Sequence, residues 1–390
     1  MNKPDFSDDL ALLTELRHDL HAHPELGFEE VRTSAKVLEI LQTAGIEVHQ
    51  GLAGTGLVAT IRGGSGDGGR RIGLRADMDA LAMSEVASRP WQSTVEGKMH
   101  ACGHDGHTVM LLGAALELAR SKRFNGTVHC IFQPAEEGRG GARRMVEEGL
   151  FEQFPCDLVF GLHNMPGLAV DEMAVVSGPQ LASSDSWRIT FTGVGTHGAK
   201  PHLGRDAITA AGHFLTALQT IPARVVDPLQ PAVVSACSVE AGDPEALNVI
   251  PDKVRIGGTA RAYTAHVRDQ LDAGIEQLAR GIAGTFGIDV DYNYIRRIPP
   301  VINDDGATAL ALRAATTVST HGVRTDFPRS TAGDDFAFFS QNIPGCYVWL
   351  GNGPAIDGAL HHNTSYDFND EAIRTGVNYW VTLVEQVLPE

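Results

Sequence analysis

The sequence predicts an α/β protein built from a layered domain, with a central mixed β-sheet flanked by helices, and a smaller ferredoxin-like α+β domain inserted into it. Three observations point there. Short apolar strands alternate with helical stretches through the first 180 residues; a βαββαβ order takes over at Trp187; helices and an apolar strand return after Pro299-Pro300. These changes divide the chain into 1–184 and 297–390 for a discontinuous large domain, and 185–296 for the insertion.

The elements follow in order. Leu57–Arg62, Arg71–Leu74, Thr127–Phe132 and Asp157–Leu162 are short, apolar and bounded by glycine or polar residues, as buried strands are. Ser34–Ala44, Thr108–Arg120 and Gly141–Phe151 read as the helices between them. The glycine-rich stretch Gly63–Gly69 reads as a flexible hairpin loop. In the insertion, Trp187–Thr192 alternates as a half-exposed strand and Asp206–Leu218 is helical. Val233–Val239 and Val254–Tyr263 form an antiparallel pair, and helix Val267–Phe286 and strand Asp289–Ile295 complete the unit. Cys346–Leu350 is a last apolar strand of the large domain.

Composition excludes several functions. At 390 residues the chain exceeds what one core usually organises, and 43% apolar residues suffice for two. The longest nearly unbroken apolar run, Val109–Leu116, falls far short of the roughly 20 residues of a membrane helix, so no membrane span is expected. The N-terminal stretch mixes acids and bases without the pattern of a secretion signal, which makes a cytoplasmic protein the expectation. Five scattered cysteines, an odd number, imply free thiols. A net charge of -17 argues against binding nucleic acid and leaves a small molecule as the expected partner.

The chemistry concentrates in a few short motifs. His100-Ala-Cys102-Gly-His104-Asp105-Gly-His107 packs potential ligands before an apolar helix; in an extended segment His100, Cys102 and His104 share a side, and Gly103 and Gly106 allow unusual backbone angles. Glu136-Glu137 follows a strand expected to be central, where open α/β sheets place ligands, and in an extended segment the two carboxylates face opposite ways. His163 ends another strand, and His361-His362 lie in a C-terminal loop. Cys, His and Glu together suit Zn²⁺, Mn²⁺, Ni²⁺ or Co²⁺ better than Mg²⁺ or Ca²⁺. Asp77, after strand RIGL, is placed to steady a ligand imidazole through its second nitrogen.

The strings HDLHAHPELGFEE, LRADMDAL, HACGHDGHT, FQPAEEG, GLHNMP, GTHGAKPH, NVIP, GDDFAFF and YDFND, spread from Arg17 to Asp370, resemble the M20 metallopeptidases, specifically their amidohydrolase branch, subfamily D. The resemblance implies a zinc-peptidase-like catalytic domain with two divalent transition-metal ions held by Cys102, His104, Glu137, His163 and His362. His361 is the alternative to His362, since HHNTSY departs from the usual spelling and the alignment can slip by one. The resemblance further implies Glu136 as general base and Asp77 as the acid beside the metals, with Arg75 standing where other branches carry a liganding His. Asp334 replaces a common Glu.

The inserted domain would be the lid and dimerisation domain, making a homodimer. His197 would be the imidazole brought to the reaction centre, often across the dimer, with Asn248 and Arg261 holding the substrate carboxylate or carbonyl. The activity implied is hydrolysis of the amide of N-acyl or N-aroyl amino acids such as hippurate. The alternatives are a metallo-dipeptidase or aminopeptidase, and a non-catalytic small-molecule binder of the same fold.

Overall fold

A computed structural model describes residues 7–64, 69–355 and 358–390, with side chains from Leu10 onward. Contacts divide it into two compact units. The first runs to Gly178 and resumes at Ile302–Pro328 and Asp335–Glu390; the second is Pro179–Val301 with Arg329–Asp334.

The first unit is built on a sheet of eight strands among the described residues: β1 (Glu47–Leu52), β2 (Gly56–Gly63), β3 (Arg71–Asp77), β4 (Gly126–Gln133), β5 (Leu158–Met165), β6 (Met173–Ala174), β7 (Val323–Arg324) and β8 (Gly345–Gly351). Their order is β1-β2-β4-β3-β5-β8-β6-β7. Neighbours β4, β3, β5 and β8 run parallel, whereas β1, β2 and β4 pair antiparallel, which makes the sheet mixed. Strands β4 and β8 are buried at every residue and mostly apolar, as strands covered on both faces are; the buried His129 of β4 bonds Thr60 Oγ1 at 3.0 Å. The edge strand β1, EVHQGL, is mostly exposed and polar.

Helices α1 (Ser7–Ala22), α2 (Val31–Thr43), α3 (His104–Ser121), α4 (Asp305–Val318) and α5 (Glu371–Val387) belong to this unit. Apolar residues nearly encircle α3, and it is buried almost all round, packed against α1 and α5 as well as β3. Leu13, Leu16 and Leu20 of α1, Leu111 and Leu112 of α3, and Trp380 and Leu383 of α5 share one core with the sheet.

Two expectations are corrected. The Gly63–Gly69 stretch does not close a hairpin, because β4 lies between β2 and β3; residues 65–68 themselves lie outside the described residues. The helix expected over Gly141–Phe151 is broken into Gly141–Glu147 and Leu150–Gln153, because Gly149 adopts φ 89°, a left-handed conformation that ends the first segment.

The second unit carries a four-stranded antiparallel sheet of strands Ser184–Thr192, Ala232–Ala241, Lys253–Ala262 and Asp289–Ile298. Numbered along the chain, the order is 2-3-1-4, the ferredoxin-like arrangement. Asp185, Trp187, Ile189 and Phe191 alternate inward from the first strand. They meet helices Ala207–Leu218 and Ala265–Phe286 through Phe214, Leu218, Leu271 and Ile275. Each helix has a side-chain cap: Asp206 accepts from Ile208 and Thr209 N–H, and Thr264 from Val267 N–H. Buried Asp185 is held by Arg268 at 2.6 and 2.7 Å and by Tyr294 Oη at 2.9 Å.

Candidate metal centre

The candidate ligands of the first unit gather at the C-terminal ends of adjacent parallel strands. Asp77 closes β3, Glu136 and Glu137 follow β4, and His163 lies near the end of β5. This is where open α/β sheets present a crevice. The HACGH segment reaches the same place by turning, not by running extended. Gly103 takes φ 94°, and a Cβ there would fall 2.5 Å from Asn164 Oδ1 and 2.6 Å from Tyr366 Oη, so only glycine fits. The next residue, His104, begins α3.

That turn corrects two expectations. His100 is not among the donors that converge with Cys102 and His104; it is buried beside His21, with ring centroids 6.2 Å apart. Gly106 bends no loop, because it sits within the regular backbone of α3. The turn also brings in His107, which sequence reasoning did not select. Its signal was the three-residue step from His104, which places both on one face of a helix.

One Cys102, His104 and Glu137 donor atom each lie within 4.8 Å of one another, and so do donors of Asp77, His104, His107 and His163. His104 belongs to both groups. His163 Nε2 stands 3.5 Å from Cys102 Sγ, and His362 Nε2 stands 3.2 Å from Glu137 Oε1. His361 instead packs edge-on against the His163 ring, with centroids 4.9 Å apart. His362 holds φ 62°, rare for a side chain other than glycine, while its N–H bonds Ala101 O at 2.7 Å. The Glu136-Glu137 pair sits in a turn, not an extended segment, because the preceding Ala135 has φ 57°. Glu136 is buried and Glu137 partly so.

Carboxylates brace this cluster from behind. Asp79 accepts the backbone N–H groups of Glu136 and Glu137, both at 3.0 Å, and stands 3.3 Å from His104 Nδ1. Asp77 bonds His107 Nδ1 at 2.6 Å and Arg75 at 2.7 Å. Thus Asp79 faces the second nitrogen of His104 and Asp77 grips His107. Arg75 spans to Asp335 at 3.2 Å, whose carboxylate also takes Gln133 Nε2 at 2.7 Å and the Ala142 N–H at 2.9 Å. Sequence reasoning missed Asp79 and Asp335; only the register of β3 beside β4 and a contact some 200 residues away along the chain bring them in. Asp334, which stands where the family commonly has Glu, is buried and belongs to the second unit.

Burial opposes ionisation of Asp77, yet Arg75, His104 and His107 hold its carboxyl well below the usual range. Burial, with His107 and His361 nearby, pushes His163 well down and keeps its ring neutral. His163 Nδ1 donates to Asn164 O at 2.8 Å, leaving the Nε2 lone pair toward Cys102. Burial of its sulfur, then the charge of Glu137, raises the Cys102 thiol. Hydrogen bonds to Cys102 and Glu137 lift His362 to about 10.

The donors fit a transition-metal ion. His104 Nε2 is buried without a hydrogen bond, a costly state that a bound cation relieves. A thiol, imidazoles and a carboxylate converge, which is the chemistry of borderline metals.

His197, Asn248 and Arg261 all lie in the second unit. His197 is exposed on the short strand Thr196–His197, paired with Val249–Ile250, and its Nδ1 accepts from Ala199 N–H at 3.0 Å. Asn248 adjoins it, since its carbonyl takes the Gly198 N–H at 2.7 Å. Arg261 lies on another strand, where Nη1 donates to Ala260 O at 2.9 Å. No helix among the described residues is long and apolar enough to cross a membrane.

Comparison with known proteins agrees with this geometry. Residues 73–386 match peptidase family M20/M25/M40. The chain is 39% identical over 386 residues to the hippurate hydrolase of Campylobacter jejuni, covering 99% of each. It is 36% identical to the N-acetylcysteine deacetylase of Bacillus subtilis, covering 96% of this chain and 97% of that protein. It superposes with TM-score 0.84 and 34% identity on the crystal structure of the Bacillus subtilis YXEP protein, a dinuclear metal-binding peptidase of the M20 family, covering 97% and 98% of the two chains. With the family matched over most of its length and such relatives across nearly all of it, this chain belongs to peptidase family M20/M25/M40, on its amidohydrolase branch, and is a hydrolase.

Proposed function

We propose that the chain binds two divalent transition-metal ions and hydrolyses the amide bond of N-acyl or N-aroyl amino acids, yielding a carboxylate and a free amino acid. The convergence of Cys102, His104, Glu137, His163 and His362 beside the buried Glu136 carries this reading. In it those five residues hold the ions, His362 rather than His361 because it faces Glu137. Bound ions supply Lewis acidity toward a carbonyl oxygen and lower the pKa of water.

The protein's own groups carry the proton. Glu136 takes it from the attacking water at a carboxylate oxygen and gives it to the departing nitrogen, restoring the carboxylate. Asp79, by holding the N–H groups of both glutamates, fixes the turn that aims them. Asp77 supports the imidazoles from behind. His197 stabilises the oxyanion, and Asn248 and Arg261 bind the substrate's carbonyl and carboxylate. The partner is a small molecule, the protein a cytoplasmic homodimer. The outer edge strand Ala232–Ala241, with Val233 and Val239 exposed, is the surface where a second copy would pair.

Relatives named for hippurate and N-acetylcysteine favour acylated amino acids over dipeptides with a free amino end. The test is turnover of benzoyl, acetyl and indole-acetyl amino acids beside matched dipeptides, with Mn²⁺, Zn²⁺, Ni²⁺ or Co²⁺ added. Hydrolysis of the acylated series is expected. Preference for the dipeptides would make the chain a dipeptidase, and no turnover of any amide would make it a binder.

A further inference from the structure

Six charged side chains of the first unit form a closed ring of alternating sign. Asp105 Oδ2 lies 2.8 Å from His21 Nδ1, and His21 Nε2 lies 3.5 Å from Glu85. Glu85 lies 3.3 Å from Arg89, and Arg89 lies 3.5 Å from Asp367. Asp367 lies 3.0 Å from Arg17 Nη1, which returns to Asp105 at 3.6 Å. The side chains of Arg17, His21 and Asp105 are fully buried and that of Glu85 nearly so.

The ring joins segments that matter to the metal cluster. Asp105 follows His104 at the start of α3. Asp367 stands five residues beyond His362, and Arg89 donates to the carbonyls of Ser365 and Tyr366 at 3.2 and 2.7 Å, gripping the backbone of the same loop. Arg17 reaches further to Asp370 at 2.7 Å. None of these groups is a candidate ligand, and nothing in the proposed chemistry uses them. Burying so many charges costs desolvation that an apolar core would avoid, so the ring's return is geometric more than energetic.

We infer that this ring positions His362: through Arg17 and Arg89 it fixes the loop 361–367 relative to α1 and the start of α3, setting the distance between the His362 and His104 ends of the metal cluster. The ring residues are positioning residues. Although burial pulls it down, His21 is raised to about 9 by Asp105 and Glu85, which keeps it the cation the alternation requires. The inference rests on the reading that His104 and His362 hold metal.

The test is Co²⁺ titration of the full-length protein, after chelation, for the wild type, Arg17→Met and the rim variant Arg89→Gln, each also in a His362→Ala background. Groups that orient ligands from behind typically control affinity by about 10–100-fold. Arg17→Met and Arg89→Gln are expected to weaken Co²⁺ binding about tenfold or more, while the thiolate-to-cobalt absorption band from Cys102 persists. In the His362→Ala background the same substitutions should change affinity less than about twofold, because the residue they position is gone. Equal losses in both backgrounds, or unchanged affinity in either single variant, would overturn the inference. If Arg17→Met does not fold, Arg89→Gln, at the partly exposed rim, decides alone. Undiminished Co²⁺ binding by His362→Ala itself would instead refute the ligand assignment.

Discussion

The ring of Phe368 occupies the space beside Gly106: a Cβ on Gly106 would lie 2.4 Å from its Cδ2 and Cε2 atoms. An aromatic of the C-terminal loop thus rests on the first turns of α3. Gly106→Ala gains helix propensity worth about 1 kcal/mol but overpacks a buried contact, at a cost of about 1–3 kcal/mol. A lowered urea midpoint is expected, with partial recovery in Gly106→Ala/Phe368→Leu. An undisturbed midpoint in the single variant would show that the ring has room to move.

Cys102→Ala removes the sulfur around which His104, His163 and Glu137 gather. Elemental analysis of the purified variant should show a loss of bound metal, with far-UV circular dichroism unchanged. Full occupancy would remove Cys102 from the ligand set.

Glu136→Gln keeps the size and burial of the side chain and removes its ability to take a proton. A fall of about 10²–10⁴-fold in kcat is expected from general-base catalysis, with metal content retained. Unchanged kcat would return the role of base to another group.

Arg75 is buried between Asp77 and Asp335. Arg75→Met removes the guanidinium shared by these two buried carboxylates, and breaking such a pair costs about 3–5 kcal/mol. Chemical denaturation of metal-free protein measures this directly; a loss below about 1 kcal/mol would show that solvent reaches the pair.

Stability should peak near neutral pH and fall on both sides. Burial holds His100 and His129 at about 4, below an unfolded value near 6.5, so the stability from their neutral forms is present above 6.5 and lost as pH falls toward 4. His21 behaves oppositely. With burial opposing and Asp105 and Glu85 raising it to about 9, its contribution is complete below 6.5 and lost as pH rises through 9. Each is worth about 3 kcal/mol at most, that of His21 being shared with Asp105. Urea midpoints of metal-free protein at pH 4.5, 6.5 and 9.5 test the profile, and a flat one contradicts it.

Much of this architecture is legible in the sequence because the central strands are covered on both faces and are therefore mostly apolar: TVHCIF and CYVWL admit few other readings. The strand EVHQGL escaped because an exposed edge carries no such pattern. In the second unit, alternation over Trp187–Thr192 gave its first strand, whose inward face the structure assigns to Trp187, Ile189 and Phe191 and extends back to Asp185. The ligand candidates could be read because each sits in a dense local motif. Asp79 and Asp335 could not: an isolated carboxylate acquires meaning only from partners that folding brings close, the N–H groups of Glu136 and Glu137 for one and Arg75 for the other. The bend at Gly103 defeated the assumption of an extended chelate, and with it the placing of His100.

The cluster draws Cys102, His104, Glu137 and His163 from the chain before Pro179 and His362 from beyond the second unit. During synthesis, four donors therefore emerge well ahead of the fifth, separated by an entire folding unit. A nascent chain can present only an incomplete coordination shell until that unit has been made. On the ligand assignment proposed above, completing the shell waits on the closing of that long loop, so a fault in folding the insertion would reach metal retention without touching a single ligand.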